Sequence, residues 1–486
     1  MKFPLLFILF PFIAFGQIQI GQTIHGEATG DLFGTNLSIS SDGSTVAIGA
    51  FDNDGNGTNS GHVRIYRNIN GVWTQIGQDI NGEGAGDLSG SSVSLSCNGR
   101  IVAIGASNNN NNSGHVRIYE NNNGVWLQVG EDIDGSSSQR FFGSSVSLSC
   151  NGNIIAIGSN LNSTTNSNSG QVNIFRNEGN TWSRIGSAIN DAITANVLGT
   201  TVSLSDNGNT VAIGTPFDIG DGVLSGHVRV YKNLQESWNQ IGDDITSDML
   251  GDQFGRELSL SGDGTVVAIS SMIDSVDNNQ TGQVIVYKNV GENWVQTGNK
   301  ITGEMAGDQF GRGVSLSRNG SILAVGARLN NDNGISSGSV RIYQNQNNLW
   351  RQIGEDIDGE MAGDQSGIGV SLSAEGTIVA IGSNLSNSST GHVRVFDITN
   401  TLLSTKEASI TSQFKLFPNP APSNVTIELP KEEAVAIQHI TMYNALGQHV
   451  FSTQDTTINT SQFPKGIYIV EIRTNEGIAS KKLIVD

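Results

Sequence analysis

The sequence predicts an all-β protein: a seven-bladed β-propeller of four-stranded blades, its ring closed by the N-terminal strand, followed by a small β-sandwich domain. Three observations predict it. A V-S-L-S element starts at Leu37, Val93, Val146, Val202, Leu258, Val314 and Val370, with spacings of 56, 53, 56, 56, 56 and 56 residues. Each unit carries short β-type stretches: the alternating V-S-L-S, then V-A-I-G, then G-H-V-R-I-Y or a variant, and, in units one to six, W-x-Q-I-G or a variant. Finally, 61 of the 486 residues are Gly while aromatics make up only 6%, a composition that suits tight turns between short strands better than helices.

The elements follow in order. Residues 1–16, MKFPLLFILFPFIAFG, read as a signal peptide, with Lys2, an apolar run to Phe15, and the small residues Ala14 and Gly16 ahead of Gln17. That run is too short to span a bilayer, and nothing later approaches the roughly 20 apolar residues a span needs. Between the first and second strands stand Asp42-Gly43, Asn98-Gly99, Asn151-Gly152, Asn207-Gly208, Asp263-Gly264, Asn319-Gly320 and Glu375-Gly376, which predict type I′ hairpin turns. The following loop is polar and varies in length, as FDNDGNGTNS (51–60) and SNNNNNS (107–113) show. Tryptophans at 73, 126, 182, 238, 294 and 350 mark the fourth strand of units one to six.

Unit seven lacks its tryptophan strand. Ile20-Gly21-Gln22-Thr23-Ile24 matches Ile76-Gly77-Gln78-Asp79-Ile80, again 56 residues away, so the N-terminus can supply the missing strand. A four-stranded sheet this small cannot bury its faces alone, whereas sheets packed face to face around an axis can. A parallel β-solenoid is the alternative, but it has no use for that N-terminal strand. Cys97 and Cys150 both lie in S-L-S-C-N-G, which reads most simply as two unpaired residues in equivalent turns, although export permits a disulfide.

Phe33-Gly34, Phe142-Gly143, Phe254-Gly255 and Phe310-Gly311, with Gly49-Ala50, Gly105-Ala106 and Gly326-Ala327, resemble the FG-GAP repeat of integrin α-subunit-like propellers. That resemblance covers residues 17–396 and implies seven blades. The GAP proline survives only in Gly214-Thr215-Pro216. From residue 411 the period, the tryptophans and the Asn-rich loops stop. LFPNP (416–420), ITMYNALGQ (440–448), FPKGIYIVEI (463–472) and the terminal KKLIVD resemble the C-terminal sorting domain, type A, of the type IX secretion pathway of Bacteroidetes. The resemblance implies that residues 413–486 engage the type IX machinery and its sortase, and that the product is secreted or attached at the cell surface. Residues 397–412 read as the linker.

Asp52-Asn53-Asp54-Gly55-Asn56-Gly57 fits the start of an oxygen-ligand calcium loop, with Asp52, Asp54, Asn56 and then Ser60 as candidate ligands of a structural calcium ion. Against it stand Ser60 and Val63, where related loops carry acidic residues, and the plain alternative of a solvated Asn/Asp/Gly loop. Related loops with Asp218 and Asp221, Asp274 and Asp277, or Asp332 lack the full spacing. Asp31, Asp87, Asp252, Asp308 and Asp364 recur just before the FG glycine and read as turn caps. His62, His115, His227 and His392 share one slot at the start of the third strand and read as solvent-edge residues. The tryptophans read as packing between blades rather than sugar platforms.

No G-x-S-x-G, Walker, H-E-x-x-H or C-x-x-C motif occurs. A net charge of −19 argues against nucleic acid and anionic membranes as partners. The expected function is a non-enzymatic binding or adhesion protein presenting a rigid loop face to a glycan or protein. Alternatives are a glycan hydrolase or lyase, which would need two carboxylates brought together from loops such as 215–225 and 328–337, and a structural matrix component.

Overall fold

The computed structural model describes residues 16–136, 139–162, 170–190, 197–217, 226–247, 252–271, 281–399, 401–402, 414–428, 437–444, 448–474 and 477–486. The expected signal peptide, nearly all of the expected linker, and the loops around Asp218, Asp221, Asp274 and Asp277 lie outside these residues.

The chain divides into two compact units, residues 17–398 and a second containing residues 399–486. The first is all-β. Among its described residues lie seven antiparallel sheets, each with a path of four strands, consistent with a propeller. In the first repeat these strands are Leu37–Ile39, Thr45–Ala50, His62–Ile69 and Val72–Gln75. A short fifth segment, Ile80–Asn81, pairs with the start of the third strand through His62↔Asn81 and Val63↔Ile80. The second strand is buried along its whole length, which is why V-A-I-G reads as a continuous apolar run while V-S-L-S alternates.

Both serines of V-S-L-S have a task. The Oγ of Ser38 accepts the N–H of Leu95 in the next repeat at 3.0 Å. Ser94, Ser147, Ser203, Ser259 and Ser315 do the same for the leucines that follow them, and Ser371 accepts from Ile39 of the first repeat at 3.2 Å. The last serine, Ser40, donates to Asp42 and accepts the N–H of Thr45 within its own turn. A second series links the turns: the N–H of Ser41 donates to Cys97 O, Cys97 to Cys150, Cys150 to Asp206, Asp206 to Gly262, Gly262 to Arg318, Arg318 to Ala374, and Ala374 back to Ser41, at 2.8–2.9 Å.

The expected type I′ turns do not form. Gly43 has φ +72° and its counterparts are also left-handed, but Asp42, Asn98 and the others preceding these glycines are not. The turn is instead closed by the Gly43 N–H donating to Ser40 O, while Asp42 Oδ1 accepts the Ser44 N–H at 2.9 Å. Asp or Asn before Gly is thus selected by side-chain bonding to the backbone rather than by tolerance of positive φ.

The seventh sheet takes strands from both ends of this unit. Ile18 pairs with Asp397 and Gln19 with Phe396, and Ile24 pairs with Val393. These segments occupy the places held elsewhere by the tryptophan strand and the short fifth segment. Among the described residues, six of the seven seams between sheets are glycine on glycine, Ser270 standing in against Gly311 at the other. A Cβ on Gly105 would overlap the Gly143 carbonyl, one on Gly214 that of Gly255, and one on Gly382 that of Gly34. The two glycines of the FG and GA elements are therefore partners across a seam.

The second unit has a sheet of Lys415–Phe417, Asn424–Glu428 and Thr457–Asn459 and another of His449–Thr453, Ile437–Asn444, Gly466–Thr474 and Gly477–Val485. Val425, Ile427 and Ile458 of the first share one core with Ile440, Met442, Val470 and Leu483 of the second, the arrangement of a small sandwich.

Candidate functional site

In the first six repeats, residues that follow the FG glycine, near the start of the first strand, converge on a central cavity of about 470 Å3. Thr35-Asn36, Ser91-Ser92, Ser144-Ser145 and Thr200-Thr201 line it from four repeats. Further along the same strands Ile39, Leu95, Leu148, Leu204, Leu260, Leu316 and Leu372 supply one buried apolar side chain per repeat.

Beyond these leucines the linked turns come together. Cys97 and Cys150 are disulfide-bonded, with Cα atoms 4.7 Å apart, which settles the pairing the sequence left open. Their turns are successive members of the backbone series, which brings equivalent positions within disulfide reach. Arg318 forms an ion pair with Asp206 and lies 2.8 Å from Cys150 Sγ and 3.3 Å from Cys97 Sγ. One end of the central space is therefore bridged by side chains, while the hydroxyl-lined end carries the cavity.

Among the described residues, charge enters this hydroxyl lining from two repeats. Where the first four repeats have Ser, Thr or Asn and the seventh has Ile368-Gly369, the fifth has Arg256-Glu257 and the sixth Arg312, all three lining the cavity. Arg312 Nη1 meets Glu257 Oε1 at 2.7 Å. Arg256 lies over the Phe217 ring at 5.8 Å. Arg328 donates from Nε to Gln309 Oε1 at 2.7 Å. Burial, together with the Arg312 charge, lowers the pKa of Arg256. Burial and then the charges of Arg312 and Arg256 lower that of Arg328. Burial raises Glu257 despite both neighbouring arginines. Sequence reasoning missed this group; the available signal was the departure from Ser/Thr after Gly255 and Gly311.

The shared histidine slot is buried, not solvent-edge: His62, His115 and His227 are each 1% exposed and His392 4%. The short fifth segment covers it, as His62↔Asn81 and His115↔Asp134 show. Burial, with Arg64 next in order, lowers the pKa of His62, and burial with Arg394 and His25 lowers His392 to about 4. Glu27, His62 and Asp79 converge, as do Glu83, His115 and Asp132 one repeat later. Arginine already serves these carboxylates: Arg64 pairs with Asp79 at 2.7 Å and Glu27 at 2.6 Å, and Arg117 lies 3.7 Å from Glu83.

The five recurrent aspartates are buried. Asp31 accepts the Ala28 N–H, Asp87 that of Gly84 and Asp364 that of Met361, as expected of turn caps.

The calcium candidates share one loop but are largely committed to it. Asn56 donates to the carbonyls of Gly82 and Glu83 at 2.8 and 3.0 Å. Ser60 Oγ accepts the Asn56 N–H and donates to Asn53 O. Asp54 accepts the Asn59 N–H at 2.8 Å. The sixth repeat builds the same bonds with Asn333 to Gly359 and Glu360, Ser337 to Asn330, and Ser336 N–H to Asn331, with Leu329 at the position of Asp52. Asp52 itself is raised in pKa by burial, then by Asp54 and Asp31. Asp52 and Asp54 are the pair a cation would relieve.

Each tryptophan ties neighbouring repeats together. Trp126 Nε1 donates to Ile76 O, Trp182 to Val129, Trp238 to Ile185, Trp294 to Ile241 and Trp350 to Thr297, at 2.8–3.1 Å.

Residues 25–66 and 302–343 match the FG-GAP repeat family, and residues 415–486 match the secretion system C-terminal sorting domain. No curated protein matches the chain. Among solved structures, a "putative 6-phosphogluconolactonase" from Bacteroides uniformis ATCC 8492 is similar at 15% identity, over 70% of this chain and 88% of that one, with a TM-score of 0.49. U3-55K is similar at 13% identity over 77% and 98%, with a TM-score of 0.48. The sorting domain marks the chain as secreted or attached at the cell surface. Among the described residues no helix is long and apolar enough to cross a membrane.

Proposed function

We propose that this chain, which carries FG-GAP repeats and a secretion sorting domain, is a non-enzymatic binding protein displayed or released outside the cell. In this reading residues 17–396 form a seven-bladed propeller sealed by its own N-terminal strand. The sorting domain is handled by the type IX machinery and its sortase. The ligand is a glycan or a protein loop that enters the hydroxyl-lined end of the central cavity.

One observation carries the reading: hydroxyl and amide side chains from four repeats line a single cavity of about 470 Å3, a concave site with convergent polar groups. Glycoside hydrolysis would ask for two carboxylates roughly 5–9.5 Å apart. Among the described residues lining this cavity Glu257 is the one carboxylate, and it is tied to Arg312. Calcium enters only as a local ion near Asp52 and Asp54, supported by the raised pKa of Asp52.

The test is a glycan and protein array probed with the exported chain, with and without calcium, beside a Thr201→Trp variant that fills the cavity. Saturable binding lost in the variant supports the reading. Binding that survives the variant, or turnover of an arrayed glycan, overturns it.

A further inference from the structure

The chain carries a net charge of −19, yet its central cavity is lined by Arg256 and Arg312 beside one carboxylate, Glu257, and the charge of Arg328 is opposed by those same two arginines. Only Arg312 is satisfied by that carboxylate. Arg328 uses its Nε on a neutral amide. The guanidinium of Arg256 makes no hydrogen bond or ion pair among the described residues and rests on the Phe217 ring. Setting the partly buried guanidiniums of Arg256 and Arg312 against one carboxylate, with Arg328 near enough to both for its charge to be opposed, leaves surplus positive charge where the surroundings screen it poorly. A bound anion offsets that surplus, and the planar fork of arginine matches the two oxygens of a carboxylate or sulfate. Elsewhere in the lining, Ser144 Oγ and Asn160 Oδ1 are buried polar atoms without a hydrogen-bond partner. Both residues line the same cavity.

We propose that this cavity binds the anionic group of an acidic saccharide, a carboxylate or sulfate ester held at Arg256 and Arg312, with sugar hydroxyls bonding to the Ser, Thr and Asn lining. The inference rests on the binding reading above and names its ligand class. Glu257 then acts as an internal competitor for the arginines, which gives the site a signature that a purely structural ion cluster lacks.

The experiment is calorimetric titration of the exported chain with digalacturonate, a sulfated disaccharide and a neutral disaccharide of the same size, repeated on Arg256→Gln and Glu257→Gln. An acidic sugar should bind about tenfold or more tighter than the neutral one, Arg256→Gln should lose about tenfold, and Glu257→Gln should tighten the acidic sugar severalfold. Which acidic probe binds tells carboxylate from sulfate. Arg256→Gln removes no ion pair, so it carries the test should Glu257→Gln unfold. Equal affinity for acidic and neutral sugars, or an unchanged Arg256→Gln, overturns the anion assignment and leaves the binding reading standing. Silence from all three sugars on the native chain and on Glu257→Gln also overturns it, while the array decides the binding reading separately.

Discussion

The indole Nε1–H of Trp73 donates to the carbonyl of Ile20 at 2.7 Å, as that of Trp126 does to Ile76 at 2.8 Å. Ile20 belongs to the N-terminal segment and Ile76 to the first full repeat, so the chain's beginning fills a place that each later repeat fills for its neighbour. Trp73→Phe should therefore cost about 1 kcal/mol, the usual worth of one such bond, and Trp126→Phe about the same. Urea midpoints of the two variants check this. A seam at Trp73 that is loose would show as a cost near zero for Trp73→Phe alone.

Gly382 faces the Gly34 carbonyl, the join between the last repeat and the first. Gly382→Ala should destabilise by about 1–3 kcal/mol through overpacking against a backbone that cannot move aside. Gly105→Ala, at an ordinary seam against Gly143, should match it. Thermal unfolding of the pair tests whether the join is as tight as the others.

His392 titrates near 4 because burial, then Arg394 and His25, oppose its charge. Unfolded, it binds a proton near pH 6.5. The unfolded chain thus takes up a proton that the folded chain refuses, and stability falls as pH drops from 6.5 to about 4. The loss attached to His392 is about 3 kcal/mol. His62 and His115 are lowered as well and act in the same direction. Asp252, Asp308 and Asp364 are raised, chiefly by burial, and act in the opposite one. Comparing His392→Gln with the native chain cancels these. The variant should lose less stability between pH 7 and pH 4.5 in chemical denaturation, and an equal loss would contradict the assignment.

Much of the architecture was legible because repetition exposes period. The 56-residue spacing, the missing seventh tryptophan and its match at Ile20 located the sheets and both segments of the last one. What period cannot show is which atoms meet between repeats. Ser38 reaching Leu95, Gly105 against Gly143, and Cys97 bonded to Cys150 all depend on distances between repeats. The histidines were misjudged because a strand start reads as exposed until the short segment at Ile80–Asn81 is seen to cover it. The arginine group was legible only as departures from a Ser/Thr pattern, and its meaning lies in Arg256 and Arg312 facing one cavity.

The account turns on the N-terminal strand lying beside the last repeat, where Ile18 and Asp397 are paired neighbours. Ile18→Cys with Asp397→Cys, oxidised in the otherwise native chain and read by peptide mapping, should bridge nearly completely and raise the thermal midpoint. Ile18→Cys with Gln344→Cys, the equivalent position one repeat earlier, should stay reduced. A failure to bridge at 397, or equal bridging at 344, would contradict it.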